Sequence, residues 1–160
     1  MAPTVYIETS VISYYTARPS RDLIVAAHQQ ITHEWWRKAL PRCEPYISDV
    51  VLREAERGDA TAAERRLDAV AAIPILEVTP DIFELARSYA SALKLPEHSL
   101  PDAYHLAIAS FHGMDILVTW NCRHIATTDT RRFVSAVNLE RGIETPDICT
   151  PEEAMEFSND

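Results

Sequence analysis

Short apolar runs alternate with helical stripes along almost the whole of this chain, and that alternation narrows its folds more than any other feature. Val5-Tyr6-Ile7, Tyr46-Ile47, Ile75 to Val78, Ile116 to Trp120 and a run near Ile148 read as strands. Between them, about Asp22 to Leu40 reads as a helix. Leu23, Ala26, Ala27, Gln30, Ile31, Glu34 and Trp35 lie on one of its faces. Ser48 is a good N-cap for a helix running to about Arg57, with Gly58 as its stop. Ala62 to Ala72 forms a short helix closed by Pro74. Thr79 and Pro80 start the next, whose stripe is Ile82, Leu85, Ala86, Tyr89 and Leu93. Pro101 opens a helix that Gly113 ends, and a last helix spans about Thr130 to Arg141. Strands alternating with helices predict a small, mostly parallel sheet flanked by helices.

The 160 residues predict a single domain (1–160, core about 4–156), long enough for a real core. No apolar run reaches the roughly 18 residues that span a bilayer, and no signal-type segment opens the chain, so no membrane association is expected. Cys43, Cys122 and Cys149 have neither zinc spacing nor a disulfide framework, which predicts a reducing cytoplasm. The net charge of −9 argues against sequence-independent binding of a polyanion through a broad basic face. It does not exclude a nuclease, because clustered carboxylates raise the negative count while a bound cation offsets them locally. The basic pairs Arg18/Arg21, Arg37/Lys38, Arg65/Arg66 and Arg131/Arg132 read mostly as solvated surface.

Four oxygen-bearing side chains stand where an open α/β sheet keeps its ligands, at or near strand ends. Glu8 ends the first strand run and Asn121 the late one. Asp102 opens the helix that begins at Pro101, and Glu54 shares an apolar helix face with Val50 and Val51. Each also has a plainer reading. Glu8 can cap the turn at Thr9 and Ser10, Asn121 suits a turn, and Asp102 complements a helix dipole. Glu54 can pair with an arginine, since a carboxylate on an apolar face is costly unless paired, protonated or metal-bound. Gathered together, these oxygens suit a hard divalent cation, Mg²⁺ or Mn²⁺. No phosphate loop, dinucleotide fingerprint or nucleophile elbow competes. Of the six histidines, His105 and His112 read as helix surface or packed core, and His124 lies near Asn121.

At these positions the chain resembles PIN-domain ribonucleases, most of all the VapC toxins of type II toxin–antitoxin pairs. The likeness runs from Val5 to about Glu156. It is carried by Val5-Tyr6-Ile7-Glu8-Thr9-Ser10-Val11-Ile12, by Glu54, by Pro101-Asp102-Ala103-Tyr104-His105-Leu106-Ala107 and by Leu117-Val118-Thr119-Trp120-Asn121. It implies a three-layer α/β/α PIN-like fold with four to five strands. It also implies an acidic site binding Mg²⁺ or Mn²⁺ through Glu8, Glu54, Asp102 and Asn121, an RNA substrate, a cognate antitoxin and a homodimer.

Two departures qualify that expectation. Glu8 stands where the family usually has aspartate, and Asn121 replaces another aspartate, so the site carries three carboxylates rather than four. Glu8 and Asp102 are the expected principal ligands, Glu54 the holder of water or a second ion, and Asn121 a neutral oxygen donor. Thr9, Ser10, Arg18, Arg123 and His124 are the expected contacts to RNA, Thr9 or Ser10 through a phosphate or through Asp102. A PIN-like protein- or RNA-binding module with little catalysis is the alternative. A haloacid-dehalogenase-type phosphatase fits less well, because Glu8 and Ser10 stand where that fold needs aspartates.

Overall fold

A computed structural model describes residues 1–156. Five strands, β1 (Thr4–Ile7), β2 (Glu44–Ser48), β3 (Ile75–Leu76), β4 (Ile116–Val118) and β5 (Asp147–Cys149), form one sheet in the order β3-β2-β1-β4-β5. Every pairing is parallel. The helices are α1 (Thr9–Thr16), α2 (Leu23–Lys38), α3 (Asp49–Ala55), α4 (Ala60–Ala69), α5 (Pro80–Leu93), α6 (Leu100–Phe111), α7 (Thr128–Arg141) and α8 (Pro151–Ala154). They complete an α/β/α arrangement: α1 packs against α2, α3 and α4, and α5 against α6 and α7.

The central strands are apolar because a parallel sheet is covered on both faces. Val5, Tyr6, Ile7, Leu117 and Val118 are wholly buried. After β1 the chain moves to one side of the sheet through β2 and β3, then crosses to the other through β4 and β5. The order therefore reverses between β1 and β4, where Ile7 lies in register with Val118. An open α/β sheet has its natural crevice beyond the strand ends at such a reversal. Glu8 and Thr119 are the first residues past those two ends.

Local chemistry sets the helix boundaries. Ser48 caps α3 by accepting from the Val51 N–H, Asp59 caps α4, and Thr127 caps α7. The last two place the starts of α4 and α7 two residues earlier than the apolar pattern predicts. Thr9 and Ser10, read above as a turn, open a full helix that runs to Thr16. Val11 and Ile12 have modest helix propensity, and their complete burial outweighs it. Two expected strands are shorter: β3 stops at Leu76, and β4 at Val118, where the chain begins a hydrogen-bonded loop. Among the described residues no helix is long and apolar enough to cross a membrane.

Candidate active site

Glu8 is the N-cap of α1 and lies at the carboxyl end of β1. Its Oε2 accepts the Ser10 N–H at 3.1 Å. Its Oε1 accepts the Thr119 hydroxyl at 2.6 Å and the Ser10 hydroxyl. Three donors offset the cost of burying this carboxylate, which is only 5 % exposed. Both hydroxyls also accept from the backbone past β4: Ser10 Oγ from Trp120 N at 2.8 Å, and Thr119 Oγ1 from Asn121 N at 2.9 Å. The start of α1 is thereby tied to the loop that follows β4.

Glu54 projects from α3 toward the same place. Its Oε1 accepts the Thr9 hydroxyl at 2.7 Å and lies 2.6 Å from His105 Nε2. Its Oε2 carries no hydrogen bond among the described residues. His105, one helical turn after Asp102 on α6, is wholly buried. Its other nitrogen, Nδ1, meets the Tyr6 hydroxyl at 2.7 Å, and that hydroxyl meets Ser48 Oγ at 2.8 Å. A buried chain thus runs from the α3 cap through Tyr6 and His105 to Glu54. The ligating atoms of Glu8, Glu54 and His105 all lie within 4.8 Å of one another.

Burial alone would depress the His105 pKa, but the bond to Glu54 and the charges of Glu8, Glu54 and Asp102 outweigh it and raise it. Burial pushes Glu54 the other way, yet His105, the Thr9 hydroxyl and Arg57 hold its carboxyl below the ordinary value. The two groups favour an imidazolium–carboxylate pair. Asp102 behaves differently. Burial raises its pKa and the charge of Glu8 adds to that, with His105, His124 and Asn121 opposing in part. A carboxyl crowded in this way is one that a cation would stabilise.

Asn121 is turned differently from the sequence expectation. Its Nδ2 donates to Asp102 Oδ1 at 3.0 Å. Its carbonyl oxygen accepts the backbone N–H of His124 at 2.9 Å and of Arg123 at 3.2 Å. The oxygen expected to face a metal therefore closes the loop after β4, as asparagine side chains do in turns. Thr9 and Ser10 engage Glu54 and Glu8, neither Asp102 nor open space. Arg123 and His124 stay beside the site on the Asn121 loop. Arg18 lies just past the far end of α1, so eight helical residues separate it from Glu8.

The residue that sequence reasoning passed over is His105. Its i, i+3 relation to Asp102 on a helix of buried alanines was the available signal. A larger cavity of about 690 Å³ beside β5 and α8 contains none of these residues.

The donor set fits a hard divalent ion: Glu8 and Glu54, whose Oε2 is uncommitted, lie within reach of one ion, and the crowded Asp102 carboxyl stands near them. The PIN-domain family model matches residues 5–138, a span that contains every residue of this cluster. The chain belongs to the PIN-domain family. Its fold is similar to that in the crystal structure of Mycobacterium tuberculosis VapC20, a toxin that cleaves the sarcin–ricin loop. That match has a TM-score of 0.55 at 20 % identity and covers 71 % of this chain and 87 % of the other. At that identity the likeness speaks for the fold. No curated protein matches the chain. In this PIN domain the acidic cluster lies across the β1–β4 reversal, with His105 beneath it.

Proposed function

We propose that this PIN domain is a divalent-metal-dependent endoribonuclease that cuts RNA phosphodiester bonds, the toxin of a type II toxin–antitoxin pair. The observation that carries the reading is the gathering of Glu8, Glu54 and His105 at the strand-order reversal, with Asp102 one helical turn before His105 and near enough to feel the charge of Glu8. The VapC20 neighbour is a toxin that cleaves the sarcin–ricin loop, which supports the reading of an RNA substrate and an antitoxin partner here. We further propose a single cytoplasmic domain that works as a homodimer.

Asp102, Glu8 and Glu54 would hold Mg²⁺ or Mn²⁺. When bound, such an ion supplies charge neutralisation at the scissile phosphate and activation of water for attack on phosphorus. The chain's own residues do the positioning. Thr119 and Ser10 fix the Glu8 carboxylate. Asn121 orients Asp102 through its amide nitrogen, which makes it a positioning residue in this reading. His105 aims Glu54 and balances part of its charge. Arg123 and His124, on the loop closed by Asn121, would meet RNA phosphates in this reading.

The test is cleavage of RNA by purified, chelator-stripped, antitoxin-free protein. Cleavage should return with added Mg²⁺ or Mn²⁺ and not with Na⁺ alone. A second reading, a PIN-like module that binds protein or RNA without cutting, is favoured by the uncharged Asn121 and its inward-turned oxygen. Calorimetry separates the two: a folded protein that binds no Mn²⁺ at millimolar concentration is the module.

A further inference from the structure

Beside Glu54 a cavity of about 270 Å³ opens between α3, the start of α5 and the start of α6. Its lining combines three kinds of chemistry. Tyr104 and Phe83 meet edge to face, with ring centroids 5.3 Å apart at 84°. Phe83 is 42 % exposed, so part of its ring is open to solvent at the cavity. Asp49 and Arg53, one helical turn apart on α3, and Arg57, just past its end, line the cavity together with Glu54. Neither guanidinium takes part in an ion pair among the described residues.

We propose that this cavity seats one unstacked nucleobase of the RNA strand, next to the phosphate cut at the acidic cluster. The inference rests on the ribonuclease reading and adds the part of the substrate that this chain selects. The volume suits one base rather than a base pair. An aromatic pair offers the stacking surface on which single-stranded bases are held. Asp49 can accept from an exocyclic amino group, as carboxylates do from cytosine. Arg53 and Arg57 supply cations to the phosphates on either side. Glu54 joins the two regions, since it lines the cavity and also bonds His105.

Two readouts test this independently of each other. In the first, the chelator-treated protein is titrated with the four nucleoside 5′-monophosphates while the Val50 and Val78 methyl resonances are followed. Both valines line the cavity. Saturable shifts are expected for at least one base, with affinity about 10-fold lower in Tyr104→Ala and retained in Tyr104→Phe. In the second, cut sites are mapped on a random-sequence RNA. A preference for one base beside the cut is expected. Tyr104→Ala should flatten it and raise KM by a larger factor than it lowers kcat.

No methyl shift with any nucleotide, or unchanged affinity in Tyr104→Ala, overturns the seat. Cleavage whose base preference survives Tyr104→Ala overturns it too, while leaving the ribonuclease reading intact. Nucleotide binding lost in Tyr104→Ala, in a protein that cuts no RNA with any metal, supports the seat and removes the ribonuclease reading. If Phe83→Ala turns a sedimenting dimer into a monomer without changing base preference, the face belongs to a second copy of the chain and the seat is overturned.

Discussion

His105 Nε2 lies 2.6 Å from Glu54 Oε1, and the histidine is wholly buried while the glutamate side chain keeps 25 % of its exposure. This pair joins the interior of the sheet to the acidic rim, because the other nitrogen of His105 reaches Tyr6 on β1.

Removing one partner of that pair leaves the other without its counter-charge. His105→Gln is expected to cost roughly 3 kcal/mol, the lower end for a broken buried pair, since Glu54 retains some water. Urea unfolding in chelator measures it. A cost under about 0.5 kcal/mol, the range of ordinary surface changes, would show that the pair contributes nothing.

The same pair predicts a pH window for the metal-free protein. His105 has a raised folded pKa, so its contribution is full below its unfolded value of 6.5 and is lost as pH rises through the folded value. Glu54 has a lowered folded pKa, so its contribution is full above 4.5 and is lost as pH falls through the folded value. The excess stability of wild type over His105→Gln should therefore be greatest between pH 4.5 and 6.5 and shrink on both sides. An excess that grows steadily from pH 6 to 9 contradicts this assignment.

Much of this arrangement can be read in the sequence, and the unread part has physical causes. Glu8, Asp102 and Asn121 are visible because strand ends and helix starts are local signals. Glu54 is visible because a carboxylate on an apolar stripe is an anomaly. The parallel sheet is legible in the same way, though it is wholly parallel with five strands, and α1 was hidden by its β-branched residues. His105 resembles a packed core histidine because its partners, Tyr6 and Glu54, are 99 and 51 residues away. The amide orientation of Asn121 is set by the Arg123 and His124 N–H groups after the chain has turned, and composition carries no trace of that.

Asn121→Asp should separate the effects of charge and geometry. It replaces the donor to Asp102 with a second carboxylate 3.0 Å away, where like charges repel. The metal-free melting temperature is expected to fall, and Mn²⁺ is expected to bind more tightly and to restore it. Calorimetry and thermal unfolding with and without Mn²⁺ check this. A variant that loses stability and gains no Mn²⁺ affinity would mean that Asp102 is not part of a cation site.

Thr119→Val removes one donor to the buried Glu8 carboxylate with little change in shape. The expected loss is about 2 kcal/mol, since the bond is to a charged group and its acceptor stays buried. Ser10→Ala should behave similarly, and the double variant should depart from additivity because both hydroxyls serve the same oxygen. Additive losses in urea unfolding would argue that the two bonds act independently.

The central claim is that Asp102 belongs to a metal site that cuts RNA. Its most direct test is single-turnover cleavage of an oligoribonucleotide in Mn²⁺ by wild type and by Asp102→Asn, each first shown to be folded. The account predicts cleavage by wild type that chelator abolishes, and a rate at least about 100-fold lower in Asp102→Asn, comparable to removing a charge-stabilising group in other enzymes. Cleavage by Asp102→Asn at the wild-type rate, with the same dependence on Mn²⁺, would contradict it.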